Sequence, residues 1–256
     1  MDVTTELVKL EESDDLRGAY VCYACESGSR AWGFASPDSD YDLRFVYVRG
    51  VNDYLRLEKR RDVIEIPIRD DLDASGWDLG KFLTLMRKSN PSVYEWLGSP
   101  IVYKRVPGFL RVKELSERCF SPLASAHHYL GMAESTLRGR LRPSQVPPKG
   151  YLYVIRAILA CRWAVYEQKP VPVRFDELRK AMLEPKMGPI VDEMLRLKAE
   201  LPEKATIEHD SGLDEWISSK MDYLAGKVLT LEPKEPLPWG EFDDIFQVFV
   251  VGSARY

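Results

Sequence analysis

The first hundred residues alternate between helical and strand-like hydrophobic spacing. Val3, Leu7 and Leu10 recur at helical intervals and predict a short amphipathic helix that ends near Ser13. Short apolar or alternating runs predict four strands, at 19–25, 40–48, 62–68 and 71–75. Apolar positions at i, i+3, i+4 and i+7 predict a second helix, at 79–86. This region is therefore expected to be mixed α and β.

Beyond Lys104 the pattern changes to long segments with helical periodicity. Four of these segments predict helices, at 121–141, 151–168, 175–183 and 189–201. The stretch 232–251 begins with a proline-rich crossing and ends in an apolar element whose type the pattern leaves open. Packed together, the helices predict a bundle. The expected fold class is α+β, with two domains at 1–104 and 105–256.

Composition and charge narrow the function classes. A chain of 256 residues with 45% apolar and 30% charged residues is typical of a globular protein. A net charge of −4 argues against a broad grip on nucleic acid, which depends on many contacts between basic side chains and phosphates. One locally basic stretch either guides a polyanion such as RNA or forms a solvated turn; it contains Arg138, Arg140, Arg142 and Lys149.

Cysteine usage and the absence of long apolar runs indicate the compartment. No stretch approaches the roughly eighteen apolar residues of a membrane span, and the acidic start MDVTTELVKLEESDD does not resemble a signal segment. Cys22 and Cys25 lie in a predicted strand, where their odd offset is expected to send the thiols to opposite faces. Core packing is favoured over redox or zinc chemistry for both. We expect a cytoplasmic protein without membrane association.

Two acidic side chains one residue apart precede strand-forming residues in DSDYDLRFVYV. On a strand, Asp40 and Asp42 would share a face with their Cα atoms about 6.6 Å apart, and their like charges would repel. Divalent cations reverse that cost, because two carboxylate-bound metal ions clamp the attacking and leaving oxygens of a phosphoryl transfer. Mg²⁺ suits such a site. The alternative is a solvated acidic turn that leads into an ordinary edge strand.

A Gly-Ser pair, Gly28 and Ser29, lies upstream of these acids. A glycine lets the backbone approach a phosphate closely, and the free N–H groups where a helix begins bind anions, with the serine hydroxyl as a further donor. Arg30 either adds a charge-assisted contact to that phosphate or faces solvent. The stretch therefore favours a phosphate-bearing ligand beside the acids.

The Gly-Ser pair and the acids together resemble a known signature. Gly28-Ser29, ten residues and Asp40-Tyr41-Asp42-Leu43 match the Gly-Ser-x(about ten)-Asp-x-Asp pattern of the DNA polymerase beta-like nucleotidyltransferase superfamily. More closely, the chain is similar to predicted nucleotidyltransferases associated with RNA-repair gene neighbourhoods. The similar segments cover most of the first 165 residues: ESGSRAWGFASPDSDYDLRF, GWDLGKFL, KSNPSVYEWLGSP and KGYLYVIRAILACRW.

This resemblance implies a fold and a reaction. The fold is a polymerase-beta-like domain whose mixed sheet carries the acids, followed by the helical bundle. The reaction transfers a nucleoside monophosphate from an NTP, bound through two Mg²⁺ ions or alternatively Mn²⁺, with release of pyrophosphate. A third acid on a neighbouring strand ligates the metal nearest the acceptor and helps to take its proton. Asp73 is our first choice for that acid, followed by Glu65 and then Asp78, which is also explained as a first-turn residue facing a helix dipole.

Two basic residues of the helical half lie on one face of the segment KGYLYVIRAILACRW. Lys149 and Arg156 are seven residues apart, and the helix around Arg156 is apolar nearly all round. A guanidinium there needs an anionic partner, because an unpaired buried charge is unfavourable. By the resemblance that partner is the NTP triphosphate, and a structural salt bridge is the equal alternative.

The acceptor hydroxyl stays open at this point. An RNA end is suggested by the gene-neighbourhood association of the similar proteins, and a small alcohol or a protein hydroxyl are the alternatives. A hypothesis of another class is a non-catalytic module of the same fold that binds an NTP or a partner. A missing third acid would indicate such a module, and this sequence retains three candidates for that acid.

Overall fold

The computed structural model describes residues 1–16, 18–69, 71–140, 145–202 and 204–253, with the backbone alone described for Arg140 and Ser253. Over these ranges the strands are β1 (Tyr20–Glu26), β2 (Tyr41–Val48), β3 (Val63–Arg69), β4 (Leu72–Asp78), β5 (Val102–Arg105), β6 (Gln145–Val146) and β7 (Ile207–Glu208). The helices are α1 (Val3–Glu12), α2 (Gly28–Trp32), α3 (Val51–Tyr54), α4 (Leu79–Arg87), α5 (Pro91–Leu97), α6 (Phe109–Cys119), α7 (Pro122–Arg140), α8 (Pro148–Tyr166), α9 (Phe175–Met182), α10 (Gly188–Glu200), α11 (Ser211–Val228) and α12 (Trp239–Ser253).

The five-stranded sheet has the order β3-β4-β2-β1-β5. Strands β2 and β4 run parallel, whereas the other neighbouring pairs run antiparallel. The sheet is therefore mixed, as the resemblance implied. Because parallel strands start at the same end of a sheet, residues near the beginnings of β2 and β4 lie side by side there.

Both faces of the sheet are covered, which explains the near-continuous apolar runs of its central strands. On one face, Val46 and Val48 of β2 pack with buried residues of α4, α5, α6 and α12. On the other face, Phe45 and Tyr47 pack with buried residues of α1. The two layers hold β2 in place from both sides, and β2 carries the acidic motif.

A β-bulge changes the orientation of the cysteines in β1. The register against β2 shifts between Val21 and Tyr23, so the side chains around Cys22 stop alternating. Cys22 and Cys25 consequently belong to the same buried cluster. The expectation of thiols on opposite faces is therefore wrong, whereas both thiols do lie in the core. Burial raises the pKa of Cys22 to about 12, which keeps its thiol protonated and unreactive.

The described residues divide into two compact units, which we call the sheet unit and the helical unit. The sheet unit takes its residues from 1–31, 40–120 and 235–256, and the helical unit from 32–39 and 121–234. This division differs from the predicted domains at 1–104 and 105–256. Phe109 of α6 and Phe242 of α12 are buried in the core beside the sheet, so both helices join the sheet unit. The C-terminal apolar stretch, left open by its pattern, is α12.

The helical unit is organised around α8. Fourteen of the nineteen residues of α8 are buried, and α7, α9, α10 and α11 pack on it. A helix that is apolar nearly all round is expected at the centre of a bundle, and α8 lies there. No helix of the described ranges is both long enough and apolar enough to cross a lipid bilayer.

Candidate active site

The parallel register of β2 and β4 brings two acids together. Asp42 is the direct partner of Asp73 in the ladder, and both residues lie near the start of their strands. Asp40 lies just before β2 and is exposed, so it is not on the strand as its spacing suggested. The three acids that the sequence singled out nevertheless come from the same end of the sheet, where β2 and β4 begin.

A single arginine bridges the paired carboxylates. The Nη2 atom of Arg44 donates to Asp42 Oδ1 and to Asp73 Oδ2, with both distances 2.8 Å. Its Nη1 atom donates to the backbone oxygen of Asp73 at 2.8 Å. The three side chains are 19%, 26% and 37% exposed for Arg44, Asp42 and Asp73, so they are open to solvent on one side. The two carboxylates thus share one guanidinium as their ion-pair partner.

The electrostatics at this end of the sheet favour an additional cation. Burial raises the pKa of the Asp42 carboxyl, and the nearby charges of Asp73 and Asp40 act in the same direction. Arg44 and Arg30 oppose the shift without cancelling it. Because burial first, and the neighbouring carboxylates second, disfavour the ionised form of Asp42, a bound cation would lower that pKa again.

Gly28 lies directly against the carboxylate of Asp42, which fills the space that a side chain at this position would need. Its φ of +58° is in the left-handed region, and a Cβ there would lie 2.0 Å from Asp42 Oδ2. The N–H of the preceding Ser27 donates to the backbone oxygen of Asp42 at 2.9 Å. Ser29 is buried in the first turn of α2. Glycine is therefore required here by the carboxylate itself, in addition to any approach to a phosphate.

Arg30 is held at the start of β2. Its guanidinium lies over the ring of Tyr41, with the carbon 3.7 Å from the ring centroid. Its Nε atom donates to the backbone oxygen of Asp40 at 3.0 Å. The structure thus places Arg30 beside the acids, and its contact with a phosphate stays a prediction.

Glu26 is a residue of the site that sequence reasoning missed. It is fully buried at the end of β1, and its Oε1 atom accepts from the Asp42 N–H at 2.8 Å. Its Oε2 atom accepts from the hydroxyl of Tyr103. Burial raises the pKa of Glu26, and these two donors counteract that rise. The available signal was a lone acid at the end of the apolar run YVCYACE, since a buried carboxylate needs partners.

The two other candidates for the third acid lie elsewhere. Glu65 on β3 is largely exposed and pairs with Arg61 at 3.3 Å. Asp78, at the far end of β4, caps α4 by accepting from Gly80 N at 2.8 Å and also accepts from a tyrosine hydroxyl. Only Asp73 among the three is the register partner of Asp42. The geometry therefore favours Asp73, and its catalytic role stays a prediction.

The basic residues singled out in the helical half belong to the helical unit. Arg156 is 2% exposed, its guanidinium lies 4.2 Å from the ring of Trp32, and Nη2 donates to Val173 O at 3.4 Å. Lys149 is the second residue of α8 and lines a small cavity beside Lys198. Packing in this unit accommodates Arg156, and nucleotide binding by either residue stays a prediction. Within the basic stretch noted above, Arg142 lies outside the described residues.

The donor chemistry of the acid pair fits a divalent metal ion. Carboxylate oxygens are the ligands that Mg²⁺ prefers, and two of them already converge on a cationic group, that of Arg44. Over the described ranges, no cluster of three or more His, Cys, Asp or Glu side chains has the geometry of a metal site. A metal ion would therefore take two ligands from the pair and complete its shell with waters or substrate, and ligation by Asp40 stays a prediction.

Comparisons with known proteins show the family of this chain. The sequence model of RlaP, described as the RNA repair pathway DNA polymerase beta family, matches residues 2–248. An uncharacterized protein of Bacillus subtilis (strain 168), YcgL, is 38% identical over 237 residues, which cover 91% of this chain and 90% of the relative. The predicted resemblance is thereby confirmed, and the mixed sheet with its acid pair fits it. The chain belongs to the RNA repair pathway DNA polymerase beta family.

Proposed function

We propose that this protein transfers a nucleoside monophosphate from an NTP to an acceptor hydroxyl in a Mg²⁺-dependent reaction. The observation that carries the proposal is the convergence of the Asp42 and Asp73 carboxylates at one end of the sheet. A bond forms between the acceptor oxygen and the α-phosphorus, and the bond from that phosphorus to the pyrophosphate oxygen breaks. Pyrophosphate leaves with the electron pair of the broken bond, and the acceptor proton passes to a base.

The acids have separate parts in this proposal. Asp40, Asp42 and Asp73 would hold two Mg²⁺ ions, with Mn²⁺ as an alternative, and bound ions would neutralise charge that develops on the phosphates. Asp73 also accepts the proton of the acceptor hydroxyl. Arg44 offsets the repulsion between the two carboxylates and keeps them in register. Glu26 positions Asp42 through the backbone N–H of that residue.

Backbone and basic groups would bind the triphosphate. Gly28 and Ser29 begin α2 beside the acids, where their N–H groups suit a phosphate oxygen. Arg30 adds a positive charge at the start of β2. For Lys149 and Arg156 the support is the resemblance of their segment to the family. Positioning and electrostatic stabilisation supply most of the rate in reactions of this type.

An RNA end is the acceptor that we favour, because the matching family is described by an RNA repair pathway. A small-molecule alcohol or a protein hydroxyl would use the same acids and the same chemistry. A non-catalytic module of this fold is less well supported, since the register supplies Asp42 with a partner acid.

We also propose a cytoplasmic location. All four cysteines are free and buried, which is the state of thiols in a reducing compartment. A cell fraction with the protein in an oxidising compartment would contradict this location.

Incubation with labelled nucleotides tests the activity. Each α-labelled NTP is supplied with Mg²⁺ and, separately, pooled RNA, a panel of small alcohols and a protein mixture. Asp42→Asn should lose label transfer, whereas Asp176→Asn, at an exposed acid paired with Arg174, should retain it. Chelation of the metal should stop transfer in the parent protein.

Two results would overturn the proposal. Transfer that survives Asp42→Asn would remove the acid pair from the mechanism. The absence of transfer and of pyrophosphate release with every NTP and acceptor, from folded protein that binds Mg²⁺, would favour the non-catalytic module.

A further inference from the structure

A strongly basic segment follows β2. Residues 49–61 contain five basic and two acidic residues, whereas the full chain has 36 basic and 40 acidic residues. The five basic residues line one groove of about 640 Å³, which we call the basic groove: Arg49, Arg56, Lys59, Arg60 and Arg61. Asp15, Glu58 and Glu65 also line the groove, so its basic residues exceed its acidic residues by two, whereas the full chain is acidic as a whole.

The basic groove lies at the opposite end of β2 from the acid pair. Asp42 is the second residue of β2, and Arg49 follows the last one. Seven residues of extended strand span about 23 Å, so the groove is separate from the candidate active site. That distance corresponds to roughly seven nucleotides at about 3.4 Å per nucleotide of one stacked strand.

Arg49 gives the groove a cation in a fixed position. The residue is 5% exposed, and its guanidinium lies 5.0 Å from the ring centroid of Tyr47. Its backbone N–H donates to the hydroxyl of Tyr54 at 3.0 Å. Its charge also acts on the buried carboxyl of Asp78, where burial raises the pKa and Arg49 lowers it, so Arg49 adds positive charge to the wall of the groove that is already partly compensated.

Three of the remaining cations are oriented by surface ion pairs. Asp53 Oδ1 lies 3.5 Å from Arg56 and 3.0 Å from Arg60, and Glu65 lies 3.3 Å from Arg61. Pairs of this kind contribute little stability, because water already solvates both partners. A guanidinium has five N–H donors in a planar fork, so an arginine in one such pair keeps donors for a phosphate.

We infer that the basic groove binds the phosphate backbone of an RNA acceptor whose end reaches the acid pair. This inference rests on the proposed function for its choice of RNA. Arginine forks match phosphate oxygens in geometry and charge, and phosphate contacts position a nucleic acid without reading its sequence. An acidic protein segment is the competing occupant, because Leu55 and Leu57 are 75% and 102% exposed on the same segment.

The test measures binding separately from transfer. Fluorescence anisotropy of a fluorescein-labelled single-stranded RNA is followed with the full chain at several salt concentrations. The triple variant Lys59→Ala, Arg60→Ala and Arg61→Ala should weaken binding by roughly tenfold or more and reduce the salt slope by about 2. Arg61→Ala alone, at a side chain that is 80% exposed, should weaken binding by about two- to threefold without any folding defect.

A matched control removes the same charge elsewhere on the sheet unit. Lys88, Arg111 and Lys113 are exposed and lie outside the groove, so their joint replacement by Ala should change binding by less than about twofold. Equal weakening by the control and the groove variant would overturn the inference, because net charge alone would then explain binding. Thermal unfolding of each variant confirms that the fold is intact.

Further outcomes separate this inference from the proposed function. Groove-dependent binding of a Glu- and Leu-rich peptide, with RNA binding unchanged in the triple variant, would overturn the RNA assignment. Groove-dependent RNA binding that persists in Asp42→Asn supports the inference, even where no acceptor receives label and the proposed function fails. Transfer to RNA that is unaffected by the triple variant, at RNA concentrations below saturation, would leave the proposed function standing and overturn the groove.

Discussion

The helical unit and the sheet unit each contain an ionic cluster, and the two clusters have opposite charge balance. In the helical unit one carboxylate, that of Glu184, lies 2.6 Å from Arg162 and 2.7 Å from Lys220 and accepts from Trp216 Nε1 at 3.0 Å. Burial raises the pKa of Glu184, but these donors outweigh burial and lower the pKa to about 2. The excess of positive partners keeps this carboxylate ionised, as in a structural ion pair.

The sheet unit has the reverse arrangement. Asp42 and Asp73 share the single cation of Arg44, and the pKa of Asp42 is raised instead of lowered. A cluster with too few positive charges becomes more stable when it binds one more cation. Burial raises the pKa at both Asp42 and Glu184, and the comparison shows that the donors around Glu184 outweigh burial whereas the single guanidinium of Arg44 does not do so at Asp42.

The largest expected effect comes from neutralising one acid in each cluster. Asp42→Asn should lower nucleotidyl transfer by about 100-fold or more, because the metal-binding pair loses a ligand. Glu184→Gln should leave the rate within about twofold and destabilise the fold by about 1–3 kcal/mol, because two cations lose their carboxylate. Single-turnover transfer and urea unfolding measure the two effects. Equal losses of activity in both variants would contradict the comparison.

A second test moves the acid without changing its charge. Gly28→Ala would place a Cβ 2.0 Å from Asp42 Oδ2 at a φ of +58°, so the carboxylate must shift. A displacement of about 1 Å in a catalytic group costs on the order of 100-fold in rate, and we expect a loss of that size. Gly131→Ala is the control, since a Cβ there meets nothing within 4 Å. Unchanged transfer in Gly28→Ala would show that the pair tolerates displacement.

Acid titration tests the contribution of the Glu184 carboxylate to the stability of the fold. The pKa of Glu184 is lower in the folded chain than its ordinary value of 4.5, so its contribution to stability is fully present above pH 4.5. That contribution is lost as the pH falls from there towards about 2. Glu184→Gln should therefore flatten the decline of the urea midpoint over this window. A decline of unchanged slope would show that Glu184 does not control the acid sensitivity of the fold.

The smallest expected effect concerns Arg44 and metal removal. With a chelator present, Arg44→Gln should lower Tm by about 2–4 °C, which corresponds to roughly 1 kcal/mol, because the two carboxylates then repel without compensation. Added Mg²⁺ should raise Tm more in this variant than in the parent protein, since the ion no longer competes with a guanidinium. Arg196→Gln, which removes an exposed arginine placed between Glu193 and Glu200, should show neither change. Differential scanning fluorimetry measures all three proteins.

The sequence predicted the elements of the sheet unit better than their assembly. Hydrophobic periodicity predicted α1, β1, β2, β3 and α4, because these elements bury a face or a run whose period is visible locally. The membership of α12 in the sheet unit was not predicted. Its place depends on Phe242 finding the core beside α4, a contact between residues about 160 positions apart, and local periodicity carries no information on such contacts.

The candidate site divides in the same way. Asp42 and Gly28 were identified from spacing, because the signature is short and its residues are close along the chain. Asp73 was the first choice from the sequence, but its pairing with Asp42 depends on the register of β2 against β4, and a slip of one residue would turn its side chain to the other face. Glu26 was missed, since its contact with the Asp42 N–H joins two strands.

By itself, the sequence determined the α+β class, the Gly-Ser and acid motif, and the apolar helix at the centre of the bundle, because each depends on residue types at short spacing. Tertiary structure alone decided which acids share a cation, that a bulge turns Cys22 and Cys25 to one side, and that five basic residues after β2 line one groove. The physical reason is that strand register and long-range packing set charge balance, and both arise from contacts between residues distant along the chain.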